Sequence, residues 1–109
     1  MITENKPITS ELKDLGSFFK LLSNIHRIRV LTLLENKSMS FGELMKELKI
    51  NPKVLSDTLT SLSNSKLIIK SYPYQVYTLT PIGKIIVKEY FTKTQELLKN
   101  YFKQTRWSD

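Results

Sequence analysis

Cysteine is missing from this 109-residue chain, histidine occurs once and glycine three times. Without thiols there is no disulfide, no thiol nucleophile, no iron–sulfur cluster and no thiolate zinc site. One histidine cannot build a multi-histidine metal centre, and no carboxylate cluster suggests an alternative. There is no glycine-rich phosphate loop and no nucleophile paired with a base. No apolar run is long enough to span a bilayer. Residues 1–7 lack the apolar core of a signal peptide. No arginine falls within residues 30–105. These absences point away from an enzyme. No catalytic residue, metal or cofactor is expected, nor a membrane partner, and the expected location is the cytoplasm.

What the chain does have is basic charge. Seventeen Lys and Arg face ten Asp and Glu, a net charge of +7. That balance favours a polyanionic partner and supplies an attraction to DNA that does not depend on sequence. The length suits one domain, and 40% hydrophobic residues suffice for a small core. A chain this short buries a modest share of its surface, so self-association would help it.

Residues 1–8 are polar and read as a flexible tail, with residues 9–109 as the single domain. Thr9 or Ser10 can cap a first helix, in which Leu12, Leu15, Phe18, Phe19 and Leu22 recur at helical spacing. Asn24 caps a second, with Ile25, Ile28, Leu31 and Leu34 or Leu33 facing inward. Ser40 and Glu43 form a capping-box pattern. The third helix, about 40–48, buries Phe41, Leu44, Met45 and Leu48. After a turn at 49–51, Asn51 and Pro52 start a fourth helix over about 52–64. Its inner side is Leu55, Leu59 and Leu62, and its outer side carries small polar residues. This pair is a helix-turn-helix, whose second helix can lie in the DNA major groove.

The period then becomes extended. Residues 67–71 and 75–79 flank Tyr72, Pro73 and Tyr74 and read as a short β-hairpin. Thr80 and Pro81 repeat the cap-plus-proline signal. A long final helix follows over about 81–103, with an apolar stripe of Ile82, Ile85, Ile86, Tyr90, Phe91, Leu97, Leu98, Tyr101 and Phe102. The fold class expected is mainly α with a small β-hairpin, a winged helix-turn-helix ending in a long dimerisation helix.

The segment from Leu22 to Leu31, including Arg27, resembles the start of the second helix in the ArsR family. Residues 51–62 resemble the recognition helix of the HxlR family, within the wider MarR-like group. Residues 72–83 are similar to that family's wing and exit into the last helix. The resemblance spans about residues 15–90, and small proteins of this kind are common in archaea. It implies a homodimeric, DNA-binding transcriptional regulator. Three departures matter. The third helix, residues 43–48, lacks the thiolates of metal-sensing ArsR proteins, and the last helix has no histidine. The redox cysteine of some HxlR-type regulators is also absent. The familiar inorganic and thiol signals are therefore not expected as inputs, and any small-molecule effector is unknown.

In this resemblance the exposed face of the fourth helix meets double-stranded DNA through Asn51, Lys53, Ser56, Asp57, Thr60 and Asn64. Lys53 adds a charge to the helix N-terminus, where free N–H groups suit a phosphate. Ser56 and Thr60 discriminate bases weakly. Asp57 repels phosphate yet can accept from a cytosine amino group. A merely solvated face is the plain alternative for Ser56, Asp57 and Thr60. The wing, 70–76, offers Lys70, Tyr72, Tyr74 and Gln75; the two tyrosines either stack on the DNA backbone or pack around Pro73. Arg27 either touches phosphate or caps a neighbouring helix. Without an arginine, bidentate guanine reading is denied to the recognition helix, so modest specificity with DNA shape supplying much of the binding is expected.

The final helix is too apolar for a monomer's exposed element. A two-fold dimer through Leu15, Phe18, Phe19, Ile86, Tyr90, Phe91, Leu97, Leu98, Tyr101 and Phe102 would cover it. Such a dimer sets two recognition helices about one DNA turn apart, roughly 34 Å. Two other functions fit the same chain: a winged-helix protein–protein interaction module that does not touch DNA, and a low-specificity, chromatin-like DNA binder.

Overall fold

A computed structural model describes residues 9–105; the expected tail at 1–8 lies outside the described residues. Helix α1 (Thr9–Leu21) leads into α2 (Ile25–Asn36), a two-residue strand β1 (Met39–Ser40), α3 (Phe41–Leu48) and α4 (Pro52–Asn64). Strands β2 (Ile68–Ser71) and β3 (Val76–Leu79) form the hairpin. The last helical segment is α5 (Pro81–Ile85), a π-helical turn (Ile86–Phe91) and α6 (Thr92–Thr105).

Side-chain caps set most of these starts. Asn24 Oδ1 accepts the His26 N–H at 2.8 Å and opens α2. Ser40 Oγ accepts the Glu43 N–H at 3.2 Å while the Glu43 carboxylate accepts the Ser40 N–H at 2.9 Å, the reciprocal capping box at α3. Asn51 Oδ1 accepts the Lys53 N–H at 2.7 Å, and Pro52 occupies the first position of α4, where no N–H is needed. Thr80 Oγ1 accepts the Gly83 N–H at 3.1 Å at the start of α5. Helix α3 stops at Lys49, which adopts the left-handed conformation (φ 54°) and donates its N–H to the Met45 carbonyl.

The core is aliphatic. Val30, Leu31 and Leu34 of α2 meet Leu44 and Leu48 of α3, Leu55, Leu59 and Leu62 of α4, and Leu67, Ile68 and Leu79 of the hairpin. Ile86 and Val87 close it from the last helix. Thr58 is buried with these, its hydroxyl donating to the Val54 carbonyl at 2.7 Å. Ile25, expected to face inward, is 60% exposed. It sits in the first turn of α2, and Val30, Leu31 and Leu34 take the inner face instead.

Two features were not visible in the pattern. The sheet has three strands in the order β1–β3–β2, all antiparallel, because Met39 and Ser40 pair with Tyr77 and Val76. Two residues are too few to show alternation. The final helix is also not uniformly α. Its π turn fits an extra residue into one turn, and adjacent Ile86 and Val87 both point inward there.

Candidate nucleic-acid interface

Helix α4 turns Leu55, Leu59 and Leu62 to the core, which leaves Lys53, Ser56, Asp57, Thr60 and Asn64 on its exposed side. Asn51 is also exposed, but its carbonyl oxygen is occupied as the cap. Lys53 Nζ lies 3.4 Å from the Asp57 carboxylate, one helical turn away. Both side chains stand in solvent, where such a pair adds only about 0.3–0.5 kcal/mol. Its chief effect is local: Asp57 does not present a bare negative charge on this face.

Both arginines among the described residues tie helix ends. Arg27 donates to the Leu21 carbonyl at 3.0 Å, closing the end of α1. Of its two expected roles, the structure displays this cap. Arg29 reaches from α2 to the Leu48 carbonyl at 3.4 Å, beside the turn of the helix-turn-helix. The register of α2 against α3, invisible in the sequence, determines that contact.

The hairpin projects beside α4. Lys70 and Tyr77 are directly opposite across β2 and β3. The Lys70 ammonium lies 5.6 Å from the Tyr77 ring centroid and 5.7 Å from that of Tyr72. Tyr72 and Tyr74 are 72% and 82% exposed, so neither is packed around Pro73, whose preceding peptide bond is cis. Gln75 takes a left-handed backbone conformation (φ 52°) that turns the chain back into β3. Between α4 and the wing runs a groove of about 220 Å³, lined by Ser56, Thr60, Ser63, Asn64, Lys70 and Tyr77. Of the expected set, Ser56, Thr60, Asn64 and Lys70 meet in this groove, joined by Ser63 and Tyr77, whereas Arg27 lies at the end of α1. Tyr77 was missed because its partnership with Lys70 follows from strand register alone.

The apolar set divides differently. Leu15, Phe19, Tyr90, Leu97, Leu98 and Tyr101 are exposed, while Phe18, Phe91 and Phe102 are half-buried. Ile86 is a correction: at 4% exposure it belongs to the chain's own core, on the helical face it shares with buried Gly83 and Val87, and is not available to a second chain. Phe18, Phe19, Leu22, Tyr90, Phe91 and Leu98 contribute to a cleft of about 350 Å³ between α1, α2 and the last helix. Among the described residues no group of three or more metal-binding side chains comes together. No helix among them is long and apolar enough to cross a membrane.

Helices α3 and α4 joined by a tight turn, flanked by a β-hairpin and a three-stranded sheet, define a winged helix. A model of the bacterial regulatory protein arsR family matches residues 26–70. An uncharacterized HTH-type transcriptional regulator from the archaeon Methanocaldococcus jannaschii is 39% identical over 72 residues, which cover 60% of this chain and 67% of that one. The chain belongs to the helix-turn-helix transcriptional regulators, and its residues 26–70 resemble the arsR-family domain. Quinone-bound YodB from B. subtilis shares the fold with a TM-score of 0.73 at 22% identity, over 80% of this chain and 96% of that one. The transcriptional regulator HlyU from Vibrio vulnificus is similar with a TM-score of 0.60 at 27% identity, over 74% of this chain and 95% of that one.

Proposed function

We propose that the protein acts as a homodimeric transcriptional regulator that sets α4 in the major groove of double-stranded DNA and the wing against the adjacent backbone. The observation carrying this reading is the exposed face of α4, where Lys53, Ser56, Thr60 and Asn64 stand beside Lys70 and the wing tyrosines. Lys53 lies in the first turn of α4, where unpaired N–H groups and the helix dipole favour a phosphate. Asp57 is balanced by Lys53 until DNA arrives, and then becomes free to accept from a cytosine amino group. The dimer is supported by the exposed apolar residues of α1 and α6, which water alone would cover in a monomer. The working site is cytoplasmic DNA, and the chain needs no catalytic group for this role.

Small hydroxyls and lysines give the reading face few means of telling base pairs apart, which favours modest specificity. Fluorescence anisotropy with a duplex from the chain's own upstream region, beside a scrambled duplex at two salt concentrations, tests the reading. Salt-sensitive binding that prefers the upstream duplex is the expected result. Equal binding to both marks a general DNA binder. No binding at low salt, where lysine–phosphate attraction is strongest, removes the reading in favour of a protein-interaction module.

A further inference from the structure

We propose that the groove between α4 and the wing seats a backbone phosphate of the bound DNA, and that Tyr77, assisted by Tyr72, is the positioning residue that holds the Lys70 ammonium there. The inference rests on the DNA-binding reading and names what one part of that surface does. The two lysines at the interface are in different electrostatic states. Lys53 is balanced by Asp57 at 3.4 Å. Lys70 is held by two aromatic rings at 5.6 and 5.7 Å, and no carboxylate lines its groove. A ring quadrupole attracts a cation without neutralising it, so the whole charge stays available to an anion. The hydroxyls of Ser56, Thr60 and Ser63 line the same groove and can donate to phosphate oxygens.

Position matters because a lysine is a compact charge on a flexible stem. Left free, the stem must be ordered when DNA binds, which weakens the complex. Here the stem is half-buried and its end already sits between rings from β2–β3 and the wing tip. Tyr77 lies directly across the ladder from Lys70, so the backbone register itself fixes the distance.

The test measures the affinity of the full chain for the upstream duplex across a salt series, with thermal melts as a folding control. Lys70→Gln should bind about tenfold more weakly at low salt, the scale of one charge-assisted hydrogen bond. Its plot of log affinity against log salt should become shallower by about one. Tyr77→Leu should do the same although it removes no charge, and combining it with Lys70→Gln should add little. Tyr77→Phe keeps the ring and should match the unaltered protein in affinity and slope. A folded Tyr77→Leu variant with the unaltered slope would overturn the proposal. If that variant does not fold, Tyr72→Leu, at an exposed position, decides it in the same way. Failure of the unaltered protein to bind any duplex removes the DNA-binding reading as well; an unchanged slope in the variant removes this inference alone.

Discussion

Lys53 is the side chain on which phosphate attraction by α4 depends most. It is exposed, it stands in the first turn, and its only neighbour of opposite charge on this face is Asp57. Replacing it with glutamine removes a phosphate partner and leaves Asp57 unbalanced against the DNA. Binding should weaken about tenfold at low salt, by similar amounts for upstream and scrambled duplexes, because phosphate contacts carry no base information. The salt slope should become shallower by about one. An anisotropy titration that showed loss for one sequence only would instead make Lys53 a reader of bases. Arg27 makes a contrast at the same scale. Its guanidinium is spent on the Leu21 carbonyl, so its removal should register first as lost stability of the α1 end.

At the scale of elements, α3 depends on its capping box and the last helix on a close approach. The Ser40 N–H, hydrogen-bonded to the Glu43 carboxylate, holds that carboxyl below the ordinary glutamate range, with help from the Ser40 hydroxyl and nearby Lys37. A carboxyl that is more acidic when folded stabilises the fold above its unfolded value. That contribution is lost as pH falls through the lower folded value. On acidification through the carboxylate range, the unaltered protein should therefore lose melting temperature more steeply than Glu43→Gln. Parallel curves would show that the bond does not discriminate between protonation states. Ser40→Ala removes the other half of the box and should cost about 1 kcal/mol at neutral pH. Gly83 sets the second limit. A Cβ there would strike the Leu67 carbonyl, a backbone group that cannot swing aside, where α5 crosses the start of β2. Thr80 bonds the Lys66 carbonyl at 2.7 Å at the same joint, linking the end of α4 to the last helix. Gly83→Ala should lower stability by about 3 kcal/mol, the upper part of the overpacking range, read as a large fall in the denaturation midpoint.

For the whole molecule, the distribution of apolar residues between interior and surface bears on self-association. Helix α6 buries none of its residues in the chain's own core, yet carries Leu97, 66% exposed, with Leu98 and Tyr101 near it. Phe19, 61% exposed, adds the same character on α1. Sedimentation velocity should give a dimer for the unaltered protein. Leu97→Glu should shift it to a monomer with its melt little altered, since the position supports no internal packing. Its affinity for a two-site duplex should fall much further than that for a single site, because two linked heads bind with a high effective concentration. A Leu97→Glu protein that remained dimeric would place the interface elsewhere.

Much of this molecule could be read directly from the chain. Local rules acted wherever the signal was contiguous. The caps at Asn24, Ser40, Asn51 and Thr80, the prolines at 52 and 81, and the leucine spacing of α3 and α4 specify starts, stops and faces within a few residues. Those rules place the helix-turn-helix and hairpin, and the surface residues Lys53, Ser56, Asp57 and Thr60. What depends on distant pairing was decided by tertiary structure. The strand β1 exists only because Tyr77 and Val76 lie beside Met39 and Ser40. Ile86 lies in the core with Gly83 and Val87, one helical face turned inward by packing, and so leaves the apolar surface stripe to which simple spacing assigned it. Lys70 meets Tyr77, and Arg29 meets Leu48, across separations that no periodicity encodes. Hydrophobic period and capping are properties of neighbouring residues, whereas register and helix phase follow from how the elements pack against one another.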